Sequence, residues 1–415
     1  MSTNDENILS DFPWITSLFV QKLLDQSEQS KDVNLKSFIV KRCFNEGEGF
    51  SSNMLCLKTT FHKSRDDVVD TKHTDFIFKI ALQTEEFDKL FEEGLYFEKE
   101  IFVYSTILPK LKHSFEVVGM TVEIGPRYFM GNTQQRILIL EDMRVQQFKG
   151  VDLTHGLDMD HMKLTVATLA KWHAGTANLL LTNPDIFTLY AKNTYQNAPC
   201  EEEYFKNVAK ILSDTVRNWP GYGQLAEKLD KIPQTAYDNA YKAFEPQANG
   251  FNVITHGDMY INNLLFRYDD NGNPIDVRFI DFAFGKRTSP SIDLILLLYS
   301  SSHSSISQSD REYLVEYYHS ELVKCLQLLN YSGHMPTLFE MQSTFFGVDL
   351  YNALAVLFII GIRYKNTVPS DGSLEVANSS EKTNDDNTKL YSNPEYIKHM
   401  KYLLEIFERR GYFEF

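Results

Sequence analysis

The chain has 415 residues, 43% of them hydrophobic, 23% charged and 13% aromatic, the balance of a soluble globular protein with room for two or three domains. Its formal net charge of −15 excludes the basic stripe that a nucleic-acid partner requires and opposes adsorption to an anionic membrane. An acidic start (MSTNDENILSDFPW), a longest apolar run of about ten residues (Ala353–Ile362) and four scattered cysteines argue against a secretory signal, a membrane span and a zinc or disulfide framework. The expectation is a cytoplasmic protein whose Cys43, Cys56, Cys200 and Cys325 are reduced.

In chain order, Trp14–Leu24 has an amphipathic period and predicts a helix packed on the body. Ser37–Cys43 and Met54–Thr60 are β-rich runs flanking Asn45-Glu46-Gly47-Glu48-Gly49-Phe50-Ser51-Ser52, which predicts a hairpin with a glycine turn. His62–Thr74, polar and charged, reads as an exposed connection. Asp75–Leu82 alternates as a strand with Lys79 in its middle. Phe97, Ile101, Tyr104 and Ile107 recur at i, i+4, i+7 and i+10 within a helical Glu85–Lys112, with Glu100 beside the stripe and Pro109 as its end. Strands are expected again at Val117–Glu123 and Arg136–Leu140.

Past Glu141-Asp142-Met143 the pattern turns helical. His161–Leu181 puts Met162, Val166, Leu169, Ala170 and His173 on one buried face. Helices follow at Glu201–Trp219, Tyr222–Phe244, Ser291–Ser301, Ser309–Leu329, Thr337–Tyr364 and Pro394–Arg409, with a polar loop at Pro369–Asp386. Only Phe251–Tyr299 interrupts them, with β-prone runs at Asn252–Thr255 and Val277–Ile280 delivering acids to one end of a sheet and a turn at Asp270-Asn271-Gly272-Asn273. The prediction is an α+β, two-lobed fold. Residues 1–142 form a small, mainly antiparallel sheet lobe with one helix, residues 143–415 form a large, mainly helical lobe, and a ligand cleft lies between them.

The chemistry concentrates in that interruption. Asp258 closes the tripeptide His256-Gly257-Asp258, Asn263 follows five residues later, and Asp281 eighteen after that. Phosphoryl transfer needs a carboxylate facing the acceptor hydroxyl, and an amide and a second carboxylate holding Mg²⁺ on the phosphates. Asp258 takes the first role, Asn263 and Asp281 the others, with Asn262 the competing amide. His256 reads as a ring that shapes the loop, and Asp293 as a helix cap or an anchor for the loop backbone. Lys79, flanked by Phe78 and Ile80, can pair with Glu100 and reach the nucleotide phosphates. Gly47, Gly49, Ser51 and Ser52 form a degenerate GxGxxS loop whose N–H groups can meet phosphate oxygens, although Glu46 and Glu48 oppose this. Backbone groups of Leu138–Met143, Glu141 and Met143 among them, stand where adenine would bind, and a plain linker looks identical. The reading is an ATP-dependent kinase using ATP and Mg²⁺ on a small hydroxylated organic substrate.

The segments ITHGDMYINNLLF, DVRFIDFAF and SPSIDLILLL, supported by FEKEIFVYSTILPKL, LILEDM and LAKWHA, resemble the ecdysteroid-kinase-like family of the protein-kinase-like superfamily. The resemblance spans about residues 37–365, and the family is related to aminoglycoside phosphotransferases and choline kinases. It implies Mg²⁺-ATP phosphorylation of a small-molecule hydroxyl, with Asp258 catalytic, Asn263 and Asp281 on the metal, and Lys79 with Glu100 on the nucleotide. The family carries Trp where Tyr260 stands and Gln where Ala283 stands. Eleven residues between Asp281 and Asp293 leave no room for the activation segment of a protein kinase, no Ala-Pro-Glu follows, and Gly257 precedes Asp258 where such a kinase has Arg. Two alternatives stay open: a pseudokinase-type binding module, and a choline- or aminoglycoside-type kinase with a cationic acceptor. A sterol acceptor would require an apolar slot, expected from the helices after residue 290 and near Trp172.

Overall fold

The computed structural model describes residues 8–30, 32–43, 52–65, 68–82, 95–190, 199–242, 245–247, 250–347, 350–365 and 393–414. Strands β1 (Val33–Arg42), β2 (Ser52–Arg65), β3 (Val68–Ala81), β4 (Tyr128–Asn132) and β5 (Ile137–Glu141) form one antiparallel sheet in the order β1-β2-β3-β5-β4. The two-residue period of β3 sorts its side chains. Phe76, Phe78 and Ile80 are buried on one face beneath helix α1 (Ser17–Ser27), whose Val20, Leu23 and Leu24 cover them, and Lys79 points to the other. Trp14 stacks on Phe78 at 5.9 Å and closes that small core.

Helix α2 (Tyr96–Phe102) passes through a π-helical turn, Val103–Ile107, into α3 (Leu108–Val117). Phe97, Ile101, Tyr104 and Ile107 are buried as the stripe predicts. Pro109 does not end the helix, because it sits in the first turn of α3. There its missing N–H is no loss, and the π turn ahead of it absorbs the break in the ladder.

The helical lobe comprises α4 (Met159–Thr182), α5 (Pro199–Arg217), α6 (Gly223–Asp230), α7 (Gln234–Lys242), α8 (Ser291–Ser300), α9 (Gln308–Leu328), α10 (Leu338–Phe346), α11 (Leu350–Lys365) and α12 (Pro394–Arg409). Four short strands, β6 (Val253–Ile254), β7 (Leu264–Tyr268), β8 (Pro274–Phe279) and β9 (Arg287–Thr288), lie among them. No helix of the described residues is long and apolar enough to cross a membrane.

Several sequence expectations are corrected. His62–Thr74 is no loose connection. Pairing runs unbroken from Ser52↔Ala81 to Arg65↔Val68, and the ladder satisfies the backbone of a polar ribbon that needs no apolar face. Val117–Glu123 is not a strand: α3 ends at Val117, Gly119 turns the chain at φ +80°, and Val122 packs into the core without a ladder. Pro233 splits Tyr222–Phe244 into α6 and α7, and Thr337–Tyr364 breaks after Phe346 into α10 and α11. The two acid-bearing runs do not share a sheet, since β6 pairs with β9 and β8 with β7. Cys43 and Cys56 are disulfide-bonded, their Cα atoms 5.4 Å apart because the paired strands β1 and β2 bring residues thirteen apart in sequence side by side. Cys325 is free and buried, as expected. The glycine turn at 44–51 and the loop at Pro369–Asp386 lie outside the described residues.

His399 fixes α12 to the lobe. One ring nitrogen meets the Tyr299 carbonyl at 3.1 Å and the other the Tyr364 hydroxyl at 3.4 Å. Burial, then the Arg363 and Arg311 charges, push the ring down to about 3. A His neutral when folded but protonated when unfolded contributes stability above the unfolded pKa near 6.5, lost as pH falls. Chemical denaturation of the wild-type chain and of His399→Gln at pH 7 and pH 5 checks this. The wild type should lose about 2 kcal/mol more than the variant over that interval.

Candidate active site

Three charged groups from three elements converge. Lys79 Nζ, from the middle of β3, lies 2.8 Å from Glu100 on α2 and 2.9 Å from Asp281 Oδ1 in the loop after β8. Glu100 is 1% exposed, and burial outweighs the Lys79 charge to push its carboxyl up to about 7, with the Asp281 carboxylate adding to the rise. The Lys79 ammonium is held above its usual range by Asp281 and Glu100 together, against the opposing effect of burial.

Asp281 adopts φ +64°, the left-handed region that Asp and Asn enter more readily than most residues. Phe282 behind it is fully buried. Its ring lies 5.4 Å from Tyr104, 5.1 Å from Trp172 and 4.6 Å from His256 between ring centres, which ties the loop to both lobes.

Asp258 stands in the loop after β6. Asn263 Nδ2 donates to its carboxylate Oδ2 and to its carbonyl, both at 2.8 Å. Burial first, then the Asp281 carboxylate, push Asp258 up to about 7. His256 meets the Ile280 carbonyl through Nε2 at 3.0 Å, and its Nδ1 accepts the Asp258 N–H at 3.3 Å. It braces the loop, as the sequence suggests. Gly257 has φ +84°, and a Cβ there would run into the Phe284 carbonyl, so only glycine passes between the two loops.

Asp293 on α8 anchors the loop backbone, the second of the readings offered above. Its Oδ2 accepts from His256 N at 2.6 Å and its Oδ1 from Gly257 N at 2.9 Å. His173 of α4 reaches Asp293 Oδ2 at 3.0 Å, and its other nitrogen meets the Tyr318 hydroxyl at 2.7 Å. Sequence reasoning placed His173 on a buried face and gave it no partner. A lone imidazole on an apolar stripe requires a buried hydrogen-bonding partner, and that was the available signal.

Those of the remaining expected residues that are described lie on, or just past, the strands flanking β3. Gly47, Gly49 and Ser51 lie outside the described residues. Ser52 opens β2 with its hydroxyl buried and, among the described residues, without a hydrogen-bond partner. Glu141 ends β5 with its carboxylate bonded to Gln146 at 2.6 Å, and the Met143 carbonyl is already taken by the Phe148 N–H at 3.1 Å. Trp172 is fully buried against Phe282, and every residue of α8 is buried, so neither lines the apolar slot sought there.

The donor set suits a hard cation. Asn263, Asp281 and Asp258 offer amide and carboxylate oxygens, and an ammonium already sits on Asp281. Among the described residues no group of three or more His, Cys, Asp or Glu could hold a metal alone. Mg²⁺ takes one or two side chains and completes its shell with water and phosphate, a demand that Asn263 and Asp281 would meet.

A small antiparallel sheet, a helical lobe and these charged loops define a two-lobed, kinase-like phosphotransferase. The family model of the ecdysteroid kinase-like family matches residues 46–331, and the chain belongs to that family. It is a small-molecule kinase acting on an alcohol group, of a family whose kinase-like character implies use of ATP. A comparison with curated proteins finds no match. Among solved structures it is similar to an ethanolamine kinase of Plasmodium vivax (10% identity, TM-score 0.35, covering 94% of this chain and 88% of that one). It is also similar to macrolide 2′-phosphotransferase MphH of Brachybacterium faecium in its apo form (11%, TM-score 0.34, 84% and 98%) and to a glucosamine kinase (10%, TM-score 0.24, 94% and 92%).

Asp293→Ala would leave one buried and one half-buried N–H group, and His173, without their acceptor. Denaturant unfolding should show a loss of about 3–5 kcal/mol. A loss below about 1 kcal/mol would refute the anchoring role.

Proposed function

We propose that this kinase transfers the γ-phosphoryl of ATP to a hydroxyl of a neutral, apolar acceptor, an ecdysteroid or a similar sterol or xenobiotic alcohol. Residues 1–142 and 143–415 are the two lobes that close on the substrates. The observation that carries the reading is the Lys79 ammonium shared between Glu100 and Asp281. It sets the nucleotide-side lysine beside the carboxylate expected on the metal.

In this mechanism Asp258 receives the hydrogen of the acceptor hydroxyl and orients its oxygen for in-line attack. Asn263 keeps the Asp258 carboxylate turned inward. Asn263 and Asp281 would hold Mg²⁺, which with ATP supplies charge neutralisation on the transferred group. Lys79, steadied by Glu100, pairs with the non-transferred phosphates. His256 and Asp293 hold the loop that carries Asp258.

Tyr96 and Tyr190, beside the loop, do not form an open cage for a cationic acceptor: both are buried, and the Lys99 ammonium already lies 5.9 Å from each ring centre.

Labelled ATP with Mg²⁺, offered against ecdysteroids and other sterols, choline, ethanolamine and an aminoglycoside, tests the reading. Label should pass to the sterols, and Asp258→Asn should lose on the order of 10³-fold in rate while still binding nucleotide. Transfer confined to the amines would overturn the neutral acceptor. Tight nucleotide binding without transfer to any alcohol would mark a binding module instead.

A further inference from the structure

We propose that the helical lobe carries a second ligand site, for a small amphiphile with an oxyanion head and an apolar body. The site is a cavity of about 580 Å³ between the loop leading into α9 and the last turn of α12. None of the candidate active-site residues lines it. Ile306 and Ile406, both buried, supply apolar wall.

The cations at this cavity are what call for an anion. Arg409 and Arg410 line it, and among the described residues neither has a carboxylate partner. Arg409 Nε donates to the Glu405 carbonyl at 3.2 Å. Arg410 Nη1 donates to the hydroxyls of Tyr299 at 2.9 Å and Tyr412 at 3.4 Å. A third guanidinium, Arg311, is 2% exposed and donates to the Tyr402 hydroxyl at 2.9 Å. Because that oxygen accepts from a cation, the Tyr402 proton is left to donate, and Tyr402 lines the cavity.

Two carboxylates stand on lining residues, Asp310 in a capping box with Ser307 and Glu312 accepting from Gln308 at 3.3 Å, while Glu408 pairs with Lys228 at 3.3 Å and Glu405 bonds Tyr222. In a chain of net charge −15, the Arg409 and Arg410 guanidinium groups line this hollow, with Arg311 behind Tyr402. Planar guanidinium forks suit phosphate and carboxylate oxygens, while the isoleucine walls suit a hydrocarbon body.

The test is calorimetry on the full chain with the nucleotide site kept filled by ADP and Mg²⁺, titrated separately with octyl phosphate, octanol and inorganic phosphate. Octyl phosphate should bind one site per chain, at least about tenfold tighter than either fragment of itself. Arg409→Glu should weaken it about tenfold or more, and the milder Arg409→Gln should fall between, with both variants unfolding within a few degrees of the parent. Octyl phosphate binding no tighter than octanol, binding indifferent to both variants, or no binding at all would each overturn the proposal.

Discussion

One ammonium between two carboxylates is the constraint on which the molecule turns. Lys79 reaches that place only because the residues on either side of it in β3 are buried under α1, which fixes the register and the face. Glu100 arrives on a helix whose apolar stripe seats against the core, and Asp281 arrives from the other lobe. Two carboxylates against one ammonium leave the cluster one negative charge in excess, and its burial makes that excess costly. Glu100 is pushed up to about 7 chiefly by that burial, with the Asp281 carboxylate adding to the rise. Such a cluster is poor cement and a good receptor for a further cation that carries its own anionic ligand. It also links the two lobes, so whatever draws Lys79 off Asp281 loosens one tie between them.

The opposite wall is built for stillness. Helix α8 is buried along its whole length, and its first turn presents Asp293 to the backbone of the loop that carries Asp258. His173 and Tyr318 complete a chain of hydrogen bonds running back into α4 and α9. The loop is thus held from behind by groups that never meet a substrate. This leaves the front of Asp258 free of structural duties apart from the bond from Asn263.

Much of this was legible in residue order. The alternation around Lys79, the heptad-like stripe around Glu100 and the spacing of Asp258, Asn263 and Asp281 are local patterns, and local patterns survive translation into three dimensions. What failed was non-local or two-valued. A polar run such as His62–Thr74 looks the same whether it wanders or pairs with itself, because a ribbon open on both faces needs no apolar period. The meeting of Cys43 with Cys56 depends on strand register, which neither cysteine announces. Trp172 looked like a possible slot wall because its size says nothing of which side it faces, and only the ring of Phe282 against it decides. His173 was visible but mute, since its partner Asp293 lies 120 residues away.

The left-handed backbone at Asp281 has an evolutionary consequence. Few side chains tolerate that conformation, and the readily admitted ones are glycine, asparagine and aspartate. Of these only aspartate carries charge, yet asparagine is one nucleotide change away and keeps nearly the same shape. A lineage can therefore lose the charge that meets Lys79 at this codon without disturbing the backbone that carries it. A single base separates the two states of that contact.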